Sequence, residues 1–180
     1  MAVVATIIWS GNFIIARGVI RQIPPVTLAF YRWLSATIIL FPFVRHGFYR
    51  EWPLIKSKIW YFLLAAVTGI SLFNTFVYIA GHYSDAINLA LIGTTSSPIM
   101  SVILARIFLN EKITVLRVAG LVVCIAGVLT LLTKGHWENL LSLSFSRGDW
   151  WMLAAALAFA IYNVMAKKRP SGMSNSNFLF

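Results

Sequence analysis

The fold class is decided by stretches such as residues 59–80, IWYFLLAAVTGISLFNTFVYIA, which hold no Asp, Glu, Lys or Arg. A bilayer core about 30 Å thick is crossed by roughly 20 apolar residues at ~1.5 Å of helix rise per residue. Five further stretches on either side are as long or nearly so. The six predicted spans are Ala2–Ile20, Pro25–Val44, Ile59–Ala80, Ala86–Asn110, Ile113–Thr133 and Trp150–Ala166. We therefore predict an all-α membrane protein, a polytopic helical bundle.

The composition favours the same class. Hydrophobic residues make up 59% of the chain and charged residues 11%, and the mean hydropathy is +0.81. Soluble domains usually carry about 25% charged residues. The chain has 15 Lys and Arg residues against 5 Asp and Glu residues. The basic residues lie between apolar runs and form no basic stripe. We therefore expect a lipid bilayer as partner and no nucleic acid. The single cysteine, Cys124, lies in an apolar run, so no intrachain disulfide is expected.

Lys and Arg in the connections predict the orientation. Ten of them lie in or beside the connections after the second, fourth and sixth spans: Arg45, Arg50, Lys56, Lys58, Arg106, Lys112, Arg117, Lys167, Lys168 and Arg169. Four lie in or beside the connections after the first, third and fifth spans: Arg17, Arg21, Lys134 and Arg147. Basic connections stay in the cytoplasm. This predicts a multi-pass protein of the cell membrane (inner or plasma) with a cytoplasmic N-terminus. The start of the chain has no cleavable signal, so the first span is predicted to be retained.

Residues between the spans predict where helices begin. Pro24-Pro25 suits a helix start, because proline in the first turn loses no needed hydrogen bond. The side chain of Ser84 or Asp85 is predicted to cap the fourth helix. Glu111 lies in a short turn, so the fourth and fifth helices are predicted to be antiparallel neighbours.

The sixth span repeats features of the first. A shift of 150 places residues 9–17 over residues 159–167, matching aromatic, small, aliphatic and basic positions. Five helices precede this restart, and an odd number implies that two successive units are inserted in opposite senses. We predict a five-helix repeat over residues 1–134, an extracytoplasmic loop over 135–148, and the truncated start of a second repeat over 149–180.

Several ordered motifs resemble one family. They are Ile8–Phe13, Pro24–Arg32, Ala86–Ile92 through Pro98, Leu109–Ile113, Ala119-Gly120 and Ala126–Val128. Together they resemble the first half of a drug/metabolite transporter of the EamA type, in the ten-helix group. The resemblance implies two five-helix units and transport of small solutes by alternating access. It also implies that a missing C-terminal half, or a second copy of the chain, completes the transporter.

Polar residues at membrane depth need protein partners or a wet cavity. Those that fall on common helix faces are predicted to bind the transported solute: Trp9, Asn12, Arg32, Ser71, Asn74, Tyr78, Asn88 and Thr95. The alternative is hydrogen bonding between helices, which contributes about 0.6–2 kcal/mol per contact. Arg32 lies seven residues past Pro25, roughly 10 Å into the helix. It either holds a carboxylate or phosphate, or snorkels outward and bonds helix-end carbonyls.

Four further residues have predicted structural roles. Pro98 frees the carbonyl of Thr94, which predicts a kink and a candidate hinge. Glu111 is predicted to lie in the turn before the fifth helix and to act as an anion at the N-terminus of that helix, where the helix dipole favours negative charge. Gly120 and Gly127 lie on one face of the fifth helix and predict close packing.

The acidic residues narrow the solute class. Glu51, Asp85, Glu111, Glu138 and Asp149 all fall at or beyond the predicted span ends. Exchange of a proton for a cationic drug usually needs a carboxylate within the membrane. We therefore expect a neutral, zwitterionic or anionic solute, amino-acid-like or similar, unless the remaining helices of a ten-helix transporter supply the acid.

Other function classes compete with transport. His46, His82 and His136 are separated, and no metal-ligand spacing, nucleophile motif or phosphate-binding loop occurs. We expect no catalytic residue, metal or cofactor, and no enzyme. The remaining alternative is a non-transporting membrane subunit, or an inactive fragment, that assembles with a partner chain.

Overall fold

The computed structural model describes residues 11, 23–133, 135–136, 146–174 and 177–178. The helices are α1 (Pro25–Ser57), α2 (Ile59–Ala80), α3 (Ala86–Leu109), α4 (Val115–Leu132) and α5 (Arg147–Lys167). All except α4, which is shorter, are long and apolar enough to cross a membrane. The prediction of an all-α, polytopic bundle is confirmed. The first predicted span, Ala2–Ile20, lies outside the described residues.

Helix α1 is longer than predicted. The second span was expected to end at Val44, whereas α1 continues to Ser57 and counts 33 residues. At ~1.5 Å per residue it is about 50 Å long, more than the roughly 30 Å of a bilayer core. Arg45 and Lys56 therefore lie in a helix and not in a connection. The hydropathy falls after Val44, but Arg and Lys are good helix formers. Lys58 alone separates α1 from α2.

The helix starts follow the prediction in one case of two. Pro24 is the N-cap of α1 and Pro25 occupies its first turn, as expected. The N-cap of α3 is Asp85, but no side chain caps this helix. The prediction that Ser84 or Asp85 does so is wrong, because the Ser84 hydroxyl instead donates to the carboxylate of Asp149, 3.0 Å away.

Helix α5 lies against α2 and α3, its main neighbours. Its start meets the start of α3 through Ser84 and Asp149, and its end meets the end of α3 through Lys167 and Glu111. It therefore runs parallel to α3, and α2 runs the other way. Its buried residues include Ala155, Ala156, Ala158 and Ala160. Small side chains let membrane helices approach closely. The basic end of the bundle is where α1, α3 and α5 end and where α2 and α4 begin.

Close approach depends on two glycines. A Cβ at Gly69 would lie 2.5 Å from the ring of Tyr162 in α5. A Cβ at Gly148 would lie 2.6 Å from the Cβ of Ser84 and 2.8 Å from the carbonyl oxygen of Ala80. Gly69 belongs to a π-helical segment of α2, Val67–Leu72. Only glycine fits at either contact without movement of its neighbour.

Helix α4 lies at the edge of the bundle. It packs weakly, mainly against α3, and most of its residues are exposed. At Gly120 and Gly127 no heavy atom of the described chain lies within 4 Å of an added Cβ. The close packing predicted there is not met within the described part, because no other described helix covers this face.

Candidate functional site

Two predicted site residues from different helices meet at one end of the bundle. Nη1 of Arg32 donates a hydrogen bond to the phenol oxygen of Tyr78. The Arg32 Cζ lies 5.8 Å from the centre of the Tyr78 ring. Tyr78 is fully buried (0% exposed), whereas Arg32 is exposed. A guanidinium this close to an aromatic ring is attracted by about 0.5–2 kcal/mol.

The position of this pair follows from the helices. Arg32 lies about two turns after the start of α1, and side chains in a helix lean towards its N-terminus. The guanidinium therefore leans towards the end opposite the basic end. Tyr78 lies two residues before the end of α2, on the same side of the bundle. A buried cluster holds Tyr78 in place; it includes Leu28, Ala29, Val77, Leu89 and Met152.

Asn74 and Thr95 are buried polar residues with different hydrogen bonding. Nδ2 of Asn74, one turn before Tyr78, donates to the carbonyl of Ile70 at 2.8 Å. One of its two amide N–H groups is thus used within its own helix. The Thr95 side chain is 7% exposed, and its hydroxyl has no partner among the residues that the structure describes. A buried polar group left unpaired costs about 1–3 kcal/mol, so the Thr95 hydroxyl would gain from a hydrogen bond to a solute or to another part of the protein.

The other predicted site residues are not brought to this pair. Ser71 is exposed and Asn88 half-buried, and the described chain shows no hydrogen bond from either to another predicted site residue. Trp9 and Asn12 lie outside the described residues. Pro98 lies inside α3, where its role as a hinge stays a prediction. Crevices of about 230 and 430 Å³ lie towards the basic end and away from Arg32 and Tyr78.

Asn163 makes a polar contact between helices that the sequence did not predict. Its Nδ2 donates to the Ser101 hydroxyl at 3.1 Å and joins α5 to α3. An asparagine within an apolar helix was a visible signal. Its partner was not, because Ser101 lies 62 positions away in the sequence.

Glu111 links two parts of the basic end. Its carboxylate accepts hydrogen bonds from Lys167 Nζ at 2.9 and 3.0 Å and from Arg117 Nη1 at 3.2 Å. These hydrogen bonds hold the pKa of the Glu111 carboxyl below its usual value, and the bond from Lys167 contributes more than the bond from Arg117. The N-terminus of α4 is capped by the Thr114 hydroxyl, which accepts from the backbone N–H of Arg117 at 3.3 Å. Glu111 thus ties the turn to α5, while Thr114 supplies the cap of α4.

Comparisons with known proteins agree with the architecture. A model of the EamA-like transporter family matches residues 1–133. An uncharacterized transporter of Bacillus subtilis, YyaM, is 28% identical over 164 residues, which are 91% of this chain and 53% of that protein. The S-adenosylmethionine uptake transporter of Rickettsia conorii is 27% identical over 171 residues, 95% of this chain and 55% of that protein.

A plant relative extends the comparison. The chloroplastic WAT1-related protein At3g02690 of Arabidopsis thaliana is 26% identical over 162 residues, 88% of this chain and 38% of that protein. The chain spans about half the length of most of the curated relatives it matches. No solved structure matches it significantly. Since the family model covers well over half of its residues, the chain belongs to the EamA-like transporter family.

Proposed function

We propose that the chain is part of a transporter that moves a small neutral, zwitterionic or anionic metabolite across a membrane by alternating access. Family membership and relatives named as transporters support this. They also confirm the prediction that the chain is not an enzyme. One relative is named for uptake of S-adenosylmethionine, a small metabolite. That name supports a metabolite as solute here.

The observation that carries the proposal is the contact between Arg32 and Tyr78. The backbone of Arg32 lies about 10 Å along a membrane helix, and its guanidinium leans back towards the helix start, where it meets Tyr78. An ionisable residue within a membrane helix is a functional candidate by default. The described acidic residues lie in turns, in the first turn of α5 or in the extension of α1 beyond Val44. We infer that Arg32 holds a carboxylate or phosphate of the solute while Tyr78 keeps the guanidinium in position. Arginine suits planar anions because it donates two parallel hydrogen bonds.

The proposed site includes the other predicted polar residues. Thr95 offers a buried hydroxyl, and Asn74 precedes Tyr78 by one turn. Trp9 and Asn12 of the first span, with Ser71 and Asn88, are proposed to contribute when the solute is bound. Pro98 is proposed to let α3 bend between inward-facing and outward-facing states.

The length of the relatives supports a larger assembly. We propose that residues 1–134 form one five-helix repeat, that an extracytoplasmic loop follows from residue 135, and that a second, inverted repeat follows the loop. The loop was predicted to run to residue 148, but α5 already begins at Arg147 because Ser146 and Asp149 cap it there. Helix α5 runs parallel to α3, as even-numbered spans must if every span crosses the membrane. A C-terminal half, or a second copy of the chain, is proposed to complete the pathway. The alternative, a non-transporting subunit that assembles with a partner chain, is favoured by the same length comparison.

Transport into liposomes tests the proposal. The chain is reconstituted alone and with its genomic continuation, and initial uptake of labelled amino acids, nucleosides and sugar phosphates is measured. We expect Arg32→Gln to reduce uptake of the anionic solutes at least tenfold. Asn74→Leu and Tyr78→Phe should reduce transport with little loss of folded protein. Arg45→Gln, which removes an exposed arginine of the same helix outside the predicted span, should leave uptake unchanged.

Two outcomes would contradict the proposal. If neither preparation moves any of these solutes above background, the non-transporting subunit is favoured. If Arg32→Gln and Arg45→Gln behave alike, Arg32 has the structural role and the solute site lies elsewhere.

A further inference from the structure

Glu51 is a buried carboxylate that the proposed solute site does not use. It lies in the extension of α1 beyond Val44 and is 6% exposed. One carboxylate oxygen accepts a hydrogen bond from the backbone N–H of Ser174 at 3.2 Å, and the other pairs with Nη2 of Arg50 at 3.6 Å. A buried charge needs such partners, because its removal from water is otherwise costly. Glu51 therefore joins α1 to the segment that follows α5.

This segment turns back over the carboxylate. The backbone N–H of Met173 donates to the carbonyl of Pro170 at 3.2 Å, which closes a turn after α5. At Ser174 the chain enters a helical turn. The Ser174 hydroxyl accepts from the backbone N–H of Asn177 at 3.3 Å, and its carbonyl accepts from that of Phe178 at 3.0 Å. We call the described residues Met173, Ser174, Asn177 and Phe178 the joint segment.

Glu51 completes a capping arrangement that two parts of the chain share. In the capping box of α5, the Asp149 carboxylate accepts from the backbone N–H of Ser146, and the Ser146 hydroxyl accepts from the backbone N–H of Asp149. Ser174 supplies the hydroxyl of the equivalent arrangement in the joint segment, and Glu51 supplies its carboxylate from α1. The start of the helical turn is thus fixed by a residue of the first proposed repeat.

Packing encloses the joint segment on both sides. Met173 and Asn177 are 6% and 8% exposed. A Cβ at Gly47 would lie 2.6 Å from the Asn177 side chain, so α1 and the segment approach closely at this glycine. The Phe178 ring stacks on Tyr162 of α5, with ring centres 6.0 Å apart. Separation of the segment from α1 would therefore expose buried side chains as well as break the bond to Glu51.

We propose that Glu51 is the positioning residue of a permanent joint between the two proposed repeats at the basic end. Arg32 lies 19 residues earlier in the same helix, about 28 Å away at ~1.5 Å of rise per residue. Pro42, between them, removes a backbone hydrogen bond of the helix. Helix α1 is then held at Glu51, while its Arg32 end moves about Pro42 during alternating access. The role in transport rests on the proposed function, whereas the joint itself does not.

Maleimide labelling of Met173→Cys in a Cys124→Ala background tests the joint in detergent, without transport. The cysteine should be nearly unreactive in this parent. Glu51→Ala should raise its labelling rate by about tenfold, the effect of one lost hydrogen bond to a charged group. Glu51→Gln should raise the rate less, because its amide oxygen still accepts from the Ser174 N–H.

Glu111→Ala is the matched control, because it removes a carboxylate of the same end that bonds Lys167 and not the joint segment. It should leave the labelling rate unchanged. Val77→Cys, which is fully buried, should stay unreactive with Glu51→Ala, because the joint and not the whole fold is opened. Equal rates in the parent and Glu51→Ala, an equal rise in Glu111→Ala, or reaction at Val77→Cys as well would each overturn the joint.

A disulfide tests whether the joint is permanent. A Cβ at Gly47 would lie 3.1 Å from Cγ of Asn177, so Gly47→Cys and Asn177→Cys are expected to cross-link. With the genomic continuation present, uptake into liposomes should be the same in the oxidised and reduced protein. Loss of uptake on oxidation, restored by a reductant, would show that the joint opens and overturn its permanence. No uptake in either state would contradict the proposed function and the role in transport, while the labelling result on the joint would stand.

Discussion

The Ser84 hydroxyl donates a hydrogen bond to the Asp149 carboxylate across 3.0 Å and joins the loop between α2 and α3 to the first turn of α5. The other carboxylate oxygen accepts from the backbone N–H of Ser146 at 2.8 Å. The Ser146 hydroxyl in turn accepts from the backbone N–H of Asp149 at 3.2 Å, which completes a capping box. One buried carboxylate thus fixes both the start of α5 and its contact with the neighbouring loop.

Asp149→Ala is therefore expected to destabilise the protein. The change removes half of the capping box and leaves the buried Ser84 hydroxyl without its acceptor. The free energy of unfolding should fall by about 1–3 kcal/mol, measured by denaturation with SDS in mixed micelles. Ser35→Ala removes an exposed hydroxyl that bonds its own helix, and it should change stability by less than about 0.5 kcal/mol. Equal effects of the two substitutions would show that the contact with Ser84 contributes nothing.

Gly69→Ala tests the close approach of α2 and α5. The added Cβ would lie 2.5 Å from the Tyr162 ring, so the ring or the helix must move. We expect a loss of about 1–3 kcal/mol of unfolding free energy, as for other overpacked sites. Gly120→Ala is the matched control, since the described chain leaves its Cβ in open space, and a glycine-to-alanine change in a helix then stabilises by up to about 1 kcal/mol. Tyr162→Leu combined with Gly69→Ala should recover part of the loss; no recovery would place the strain elsewhere.

Hydropathy predicted some helix boundaries closely and missed others. The predicted span Ile59–Ala80 matches α2, and the fourth span differs from α3 by one residue at its end. A long apolar run has one stable conformation in a bilayer, because every backbone group must be bonded internally. The end of α1 at Ser57 was missed because helix formation continues where hydropathy stops. Outside the bilayer core, backbone propensity and packing decide the boundary.

The sequence predicted which residues belong to the candidate site, but not which of them contact each other. Arg32 and Tyr78 were identified because polar groups are rare in apolar spans, but they lie 46 positions apart. Two buried threonines also show that the sequence does not predict hydrogen-bond partners. Thr68 bonds the carbonyl of Leu64 at 2.8 Å, whereas Thr95 has no partner among the described residues. The side-chain rotamer decides between these outcomes, and the sequence does not contain it.

The Glu111 link predicts a pH dependence. Hydrogen bonds from Lys167 and Arg117 lower the folded-state pKa of Glu111 below the 4.5 of an unperturbed carboxyl. The unfolded chain then binds more protons at this group than the folded chain does. Its stabilising contribution is present above about pH 4.5 and is lost as the pH falls through the lower folded pKa. Glu111 is partly exposed, so the effect is small.

Thermal unfolding between about pH 6 and pH 3 should show this dependence. Wild-type Tm should fall more steeply with acidification than that of Glu111→Gln, which lacks the titrating group. Lys112→Gln changes the neighbouring charge and should keep the wild-type slope. Identical slopes for wild type and Glu111→Gln would mean that the Lys167 contact does not persist in solution.

Orientation is the last testable feature. Arg32 apart, the chain has fourteen Lys and Arg residues, and ten of them lie in the helix ends and connections of the basic end. Basic residues that flank membrane spans stay in the cytoplasm. In a Cys124→Ala background, Arg45→Cys and Lys56→Cys should react with impermeant maleimides from the cytoplasmic side alone. Tyr83→Cys is the matched control, because Tyr83 is exposed in the loop at the opposite end, and it should react from outside alone. The reverse pattern would place the N-terminus outside. It would also show that the basic residues do not set the orientation, so that other parts of the protein must.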